Sequence, residues 1–431
     1  MPDLTPLAKF YKKTRQERID TLEQAEWISE AQARILRESL GLSDNTASHM
    51  IENQLSLYQI PYGIALNFVI NGKPYLIPMA TEEPSVIAAA SNAAKLVSLS
   101  NPDGFVTESL DRQMVGQIAL TNVTEPDLAM LKVQKKEEEL LTIANLAHPS
   151  IVKRGGGATS IQVKWIPANE SNPDSFLVVY LTVDTKEAMG ANMLNTMLES
   201  LVAPLEALIG GQRLMAILSN YASQSLVRAT CVVKPQILAS VTYSGELVRD
   251  KIISASNFAR ADIYRATTHN KGIMNGIDAL VLASGNDWRA IEAGAHAYAS
   301  QSGSYQPLAT WSKDEDGNLV GEIVLPMPVG TVGGSIAIHP MAQLSHQLLG
   351  SPQAKELAQI IGALGLAQNL AALKALVTVG IQKGHMSLQA KSLLIACGAT
   401  DEEIEPLTEA LLKEPHLNQE TAMTLLKAYR G

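Results

Sequence analysis

Four titratable side chains stand where they could do proton and charge chemistry. Glu83 precedes a proline in Thr81-Glu82-Glu83-Pro84-Ser85, a pattern that predicts a helix N-terminus, where the macrodipole stabilises a carboxylate whether or not it reacts. Lys271 lies in the polar, glycine-bounded stretch Thr267-Thr268-His269-Asn270-Lys271-Gly272-Ile273-Met274-Asn275-Gly276, between apolar elements. Asp287 follows Asn286 at the start of a helix and suits a capping carboxylate as well as an acid-base group. His385 sits between Gly384 and a helix. A cationic lysine stabilises an oxyanion, and carboxyl and imidazole groups move protons. Taken singly, each residue is better read in an ordinary role, as a helix-terminal carboxylate, a solvated loop lysine, a helix cap or a surface histidine.

Glycine clusters raise a nucleotide reading. Gly155-Gly156-Gly157 follows Lys153-Arg154 and leads into a strand, whereas a Rossmann fingerprint leaves a strand and opens a helix, so that fold is not expected. Met189-Gly190-Ala191-Asn192 falls in the first turn of a helix after an apolar strand, where free N–H groups and the dipole favour a pyrophosphate. The same glycine would also serve close helix packing. Gly330-Thr331-Val332-Gly333-Gly334 reads as a flexible turn able to approach an anion, and Lys132 to Glu139 as a solvated helix face. The two cysteines, Cys231 and Cys397, exclude a disulfide framework and a four-thiolate zinc site, and no metal is expected.

The elements that must position these residues read as follows. Met1 to about Ser100 is mainly helical, most clearly over Glu83 to Leu99 with Pro84 at the first helical position. Met114 to Leu120 is a strand, and Thr124 caps a helix to about Leu146. Strands follow at Ile161 to Ile166 and Phe176 to Val183, then a helix opened by Asp184 with Glu187 and closed near Gly210-Gly211. A last strand, Leu226 to Val233, completes the βαββαβ order of a ferredoxin-like unit. Ala279 to Ala283 reads as a buried strand entering a polar turn at Gly285-Asn286-Asp287, where α/β proteins place ligand groups. Ala354 to Val379 is an apolar helix, and three short helices around Ser387 to Ala396, Glu403 to Lys413 and Gln419 to Tyr429 form a module on a glycine-flanked hinge.

The expected fold is therefore α+β: a large, mainly helical α/β domain, an inserted ferredoxin-like βαββαβ domain and a small C-terminal helical flap. The division is 1–111 and 223–380 for the large domain, 112–222 for the insert and 381–431 for the flap. With 431 residues, 46% of them hydrophobic and 18% charged, the composition is globular. The net charge of −9 disfavours nucleic acid or an anionic membrane as main partner and leaves room for a local basic pocket. The N-terminus lacks the apolar core of a signal peptide, and Gln368, Asn369 and Lys374 interrupt the most apolar stretch, so no membrane span is expected and the cytoplasm fits best.

Several segments together carry a stronger signal. Thr81-Glu82-Glu83-Pro84-Ser85, Glu187-Ala188-Met189-Gly190-Ala191-Asn192, Thr268-His269-Asn270-Lys271-Gly272, Gly285-Asn286-Asp287-Trp288-Arg289 and Gly384-His385-Met386 resemble the 3-hydroxy-3-methylglutaryl-coenzyme A (HMG-CoA) reductases. The resemblance is to their soluble class II, in family order and over nearly the whole chain. It implies a four-electron reduction of a thioester to mevalonate and free coenzyme A, through a thiohemiacetal and mevaldehyde, with two hydrides from a nicotinamide cofactor.

The catalytic positions implied are Glu83, Lys271, Asp287 and His385. Lys271 would stabilise the oxyanion and Asp287 orient the lysine. Glu83 would donate a proton, which needs a neighbouring acid or a dry site, and His385 would protonate the departing thiolate from a closing flap. Arg265 and Ser85 would hold the free carboxylate and Asn275 the reacting end. The dinucleotide positions implied are His148, Glu187, Met189, Gly190 and Asn220, with Glu187 where many members have Asp.

NADH-preferring members carry an acid just upstream of the triple glycine, whereas here Ala147 to Arg154 holds no acid and two cations. NADPH is therefore the expected reductant, with NADH a secondary one. Glu52-Asn53-Gln54-Leu55-Ser56 departs from the family's usual Glu-Asn-Val with glycine, and no physical reason for the change is evident. The resemblance further implies a homodimer with shared active sites, in which Glu83 and Lys271 can come from different subunits. The alternatives are an NAD-linked enzyme degrading mevalonate and a non-catalytic coenzyme A or nucleotide-binding protein; the second is countered by the presence of all four catalytic types.

Overall fold

The computed structural model describes residues 7–378 and 380–431, the side chains of 381–388 excepted. Short helices open the chain, Arg15–Gln24 and Glu30–Arg37, each begun by a capping box, Thr14 with Glu17 and Ser29 with Gln32. They bury Ile19, Leu22, Ile28 and Ala33 against Leu76, Leu344 and Leu348. The expected helical stretch is then broken by an antiparallel hairpin, β1 (Tyr62–Ile70) and β2 (Lys73–Ala80). Asn71 and Gly72 join the strands with φ of 50° and 75°, the left-handed pair whose twist suits a two-residue hairpin turn. The following helix, Val86–Ser100, lays Ala90, Ala93, Ala94 and Val97 on that hairpin, and the small side chains let the backbones approach.

Two four-stranded antiparallel sheets follow. One, in the order β3 (Val106–Ser109), β8 (Leu226–Val233), β10 (Leu319–Pro326), β9 (Ala309–Lys313), backs the large core. The other has the order β5 (Gly157–Ile166), β6 (Phe176–Asp184), β4 (Gln113–Thr121), β7 (Gln212–Leu218). In chain order its strands run 2-3-1-4, with helices between the first and second and between the third and fourth. Its closing strand is Gln212–Leu218, whereas Leu226–Val233, read from sequence as the closing strand, belongs to the other sheet. Residues 212–218 are mostly exposed and so lack the buried alternation that marks a strand.

The helix Ala354–Val377 runs through the large core and packs on the helix Ile263–Ala283. A Cβ on Gly365 would lie 2.8 Å from Ile277 Cδ1, so glycine sets the helix separation, and a methyl there would cost about 1–3 kcal/mol in overpacking. Ala354–Val377 is long and apolar enough to cross a membrane, but 67% of its most apolar window is buried: it is a core helix. Helices Ile381–Ala396, Asp401–Leu411 and Gln419–Arg430 close over a small core of their own that includes Leu394, Leu407, Leu411 and Leu426.

Candidate active site

The Ile263–Ala283 helix carries Arg265, Lys271 and Asn275 within an arc of about 120°. Lys271 is thus a mid-helix residue, not the loop lysine its polar neighbours suggest, and Asp262 caps the helix by accepting from Arg265 N–H at 2.7 Å. The helix packs against β2, and Glu83 follows β2 in the turn before Val86. The helix after Glu83 starts at Val86, so Pro84 and Glu83 precede it. Ser85, its N-cap, takes φ 71° and makes no side-chain cap bond, a strained conformation for a non-glycine residue.

Lys271 Nζ lies 2.7 Å from Glu83 Oε2, and Asn275 Nδ2 donates to Glu83 Oε1 at 3.1 Å. Glu83 N–H donates to Thr81 Oγ1 at 3.2 Å, which holds the turn. The lysine side chain is 61% exposed and the glutamate 39% exposed, so the pair adds at most about 1 kcal/mol to stability. Both groups stay open to a ligand. Glu83 meets a cation and an amide, so within one chain it has neither the neighbouring acid nor the dry site its expected role requires. The two also meet inside one chain, so the pair needs no second subunit. Arg265 is half-buried with no carboxylate partner among the described residues, and burial alone holds its guanidinium below the usual range.

Asp287 is not part of this group. Its Oδ1 accepts from Arg289 N at 3.0 Å and Ala290 N at 3.2 Å, capping the helix Trp288–Ala299, and it makes no hydrogen bond or ion pair to Lys271. Residues 279–283, read as a strand, are the last turns of the Ile263–Ala283 helix. They carry the chain about 18 Å beyond Lys271 before it turns at Gly285. The expectation that Asp287 orients Lys271 therefore fails within a single chain.

Asp287 stands instead with the dinucleotide candidates. Asn286 is bonded to Gly330, whose loop is bonded to Glu187. Asn220 lies on the Trp288–Ala299 helix, its carbonyl so close to Gly294 that a Cβ there would approach to 2.8 Å. Met189 and Gly190 continue the Glu187 loop. Gly190 has φ 94° and is the N-cap of the helix Ala191–Ile209 without a side-chain cap, so Asp184 and Glu187 do not form the expected capping box. A Cβ on Gly190 would stand 2.5 Å from Thr185 Cγ2. Glu187 uses its carboxylate on Thr331 Oγ1 and Ala354 N–H, as an anchor of this loop. His148 is the N-cap of the short helix Pro149–Lys153, its Nδ1 3.2 Å from Ser150 Oγ. His385 lies within the helix Ile381–Ala396, and its side chain is outside the described residues.

Sequence reading missed a polar chain behind the Lys271 helix. Asp278 faces Glu292, whose Oε2 is 2.6 Å from His296 Nε2, and His296 Nδ1 is 2.7 Å from Tyr305 OH. Burial first, then Glu292, pushes the Asp278 carboxyl up to about 9. The folded chain thus keeps a proton that the unfolded chain releases above about pH 4, and stability falls as pH rises from about 4 to 9. Asp278→Asn should remove that slope. Its Tm should exceed the parent's by several degrees at pH 8 and match it near pH 4, checked by thermal melts across pH; a gap that shrinks with rising pH contradicts the assignment.

Comparison with known proteins shows the family of the chain. Residues 14–390 match the family model described as hydroxymethylglutaryl-coenzyme A reductase. The chain is 44% identical over 422 residues to the HMG-CoA reductase of Archaeoglobus fulgidus, covering 98% of this chain and 94% of that one. It is 38% identical over 354 residues to a probable HMG-CoA reductase of Borreliella burgdorferi, covering 80% of this chain and 78% of that one. A solved HMG-CoA reductase of Streptococcus pneumoniae superposes with TM-score 0.84 at 50% identity, over 98% of this chain and 100% of that one. A class II structure from the same organism, bound to NADPH in open conformations, gives 0.82 at 51% identity, over 97% and 100%.

Fold and family match together define an oxidoreductase of mixed α+β architecture. The chain belongs to the hydroxymethylglutaryl-coenzyme A reductase family and is of its class II.

Proposed function

We propose that this chain reduces HMG-CoA to mevalonate and coenzyme A, with NADPH as preferred reductant. The observation that carries this reading is the exposed Glu83–Lys271 pair, braced by Asn275, on a chain of this family. Lys271 sets a cation where a carbonyl oxygen becomes an oxyanion, and that charge matters at each of the two reductions. Glu83 is the proton donor to the oxygen once Asp287 of the partner subunit supplies the neighbouring acid that one chain lacks, and Asn275 holds its carboxyl in place. Arg265, half-buried and without a carboxylate partner among the described residues, takes the free carboxylate of the substrate with Ser85, whose hydroxyl is not spent on capping. His385 protonates the coenzyme A thiolate as the C-terminal helices close.

Two dinucleotide molecules, bound in succession, would each supply one hydride. The chain fits the dinucleotide at the start of the Ala191–Ile209 helix, where uncapped first-turn N–H groups and a glycine with no room for a side chain suit a pyrophosphate. Met189, Gly190, Asn220 and His148 are its contacts, with Glu187 bracing their loop. Asp287 sits beside this loop and away from Lys271 in one chain. A homodimer in which one subunit brings Asp287 to the other's Lys271 completes the site. Consistent with a second subunit, Leu55 and Tyr58 are 98% and 95% exposed, and Ile51 beside them is also exposed. The separate apolar cores support the division into 1–111 with 223–380, 112–222 and 381–431. Two free thiols, Cys231 and Cys397, suit action in a reducing cytoplasm.

Lys153 and Arg154 are exposed, make no ion pair among the described residues and stand beside Lys186 at the triple glycine. They are the groups for a 2′-phosphate, and the absence of an acid in 147–154 disfavours NAD-linked degradation. Initial rates should give kcat/KM for NADPH about 10–100-fold above NADH, the worth of a charge-assisted hydrogen bond, and reversing both charges should abolish the gap. An equal or higher value with NADH contradicts the preference.

A further inference from the structure

The Glu187 carboxylate stands where two loops and a helix start converge. Its Oε2 accepts from Thr331 Oγ1 at 3.0 Å and from the N–H of Ala354, first residue of the core helix, at 2.7 Å. The backbones are joined as well: Thr331 N–H donates to Glu187 O at 2.8 Å, and Ala188 bridges Val332. Gly330 lies against Met189, where a Cβ would come within 2.6 Å of the Met189 nitrogen. Asn286 grips the other side of Gly330, its Oδ1 accepting from Gly330 N–H at 2.7 Å and its Nδ2 donating to Gly330 O at 3.0 Å. Asp287 is the next residue. Beneath them the buried Arg112 guanidinium donates to the carbonyls of Lys186, Ala188 and Val329.

A side-chain amide that bonds both the N–H and the C=O of one residue fixes its position and its rotation together. Asn286 thereby ties the turn of Asp287 to Gly330, and Thr331 ties Gly330's loop to Glu187. We propose that Thr331 and Asn286 are positioning residues that hold the dinucleotide loop and Asp287 in one fixed register, so that cofactor affinity and turnover depend on the same rung. The inference rests on reading residues 187–192 as the dinucleotide loop and Asp287 as an acid-base group. Neither residue touches substrate in this account. Misplacement of a reacting group by as little as about 1 Å is costly in rate, which makes such a rung consequential.

Thr331→Val is isosteric, sits on a half-exposed loop and removes only the hydroxyl. In the full-length protein it should raise KM for NADPH and lower kcat, each about three- to tenfold, together the worth of one hydrogen bond to a charged group. KM for HMG-CoA should stay within about twofold of the parent, and Thr331→Ser should restore both parameters, an effect a merely structural loop would not show. Combined with Asn286→Ala, the losses should fall short of the product of the single effects, as expected of residues acting through one rung. Unchanged kcat and NADPH KM in Thr331→Val, or single losses that multiply fully, would overturn the coupling. Hydrogen exchange with and without NADPH separates the layers. Amides of 187–192 left unprotected overturn the cofactor reading and the coupling with it, whereas protection beside independent single losses overturns the coupling alone.

Discussion

Lys271→Met should lower kcat for HMG-CoA reduction about 10²–10³-fold, the loss typical when one stabiliser of a developing oxyanion is removed. Methionine keeps the length and the helix propensity of lysine, so the Ile263–Ala283 helix should persist. The ion pair with Glu83 is exposed and adds little to stability, so the melting temperature should stay close to the parent's. The cation acts on charge that exists only as the carbonyl is reduced, so the effect should appear in kcat far more than in the KM for substrate. Steady-state kinetics beside thermal melts check this. A loss confined to KM, or a fall in kcat below about tenfold, would remove Lys271 from the oxyanion role.

His385→Ala should separate the two halves of the reaction. Collapse of the thiohemiacetal expels a thiolate, whose ordinary pKa near about 8.5 makes protonation by a group titrating near neutrality effective. Reduction of the aldehyde expels no thiolate. Thioester reduction should therefore fall about 10²–10⁴-fold, the range for loss of a positioned general acid, while reduction of added mevaldehyde survives within about tenfold. The position of His385 in a helix of the small C-terminal module suits a group that arrives as the site closes. Equal loss of both activities would leave the histidine with a binding or structural role.

Local patterns in the chain were legible where chemistry and backbone coincide. Asp287 as a helix cap follows from a short acid before an amphipathic run, and the strand from the triple glycine follows from its alternation. Asn71-Gly72 between two apolar runs is a hairpin signal, and reading the first hundred residues as helical passed over it. Lys271 was misplaced because Thr267 to Asn270 are polar, yet His269 and Asn270 are buried and bonded to Ala309, Asn369, Gln306 and Leu308. Burial of polar groups with distant partners leaves no trace in local hydropathy. For the same reason the separation of Asp287 from Lys271, and the grip of Asn286 and Thr331 on one glycine, are products of tertiary structure. The motifs identified the residues, and the fold determined which of them meet.

The central claim is a double reduction at one site. Incubation of the purified protein with HMG-CoA and NADPH, with oxidised cofactor, free coenzyme A and the carbon product quantified together, tests it most directly. The account predicts two NADPH consumed for each coenzyme A released, and mevalonate as the product. One NADPH per coenzyme A with accumulating aldehyde, or coenzyme A release without cofactor oxidation, would contradict it.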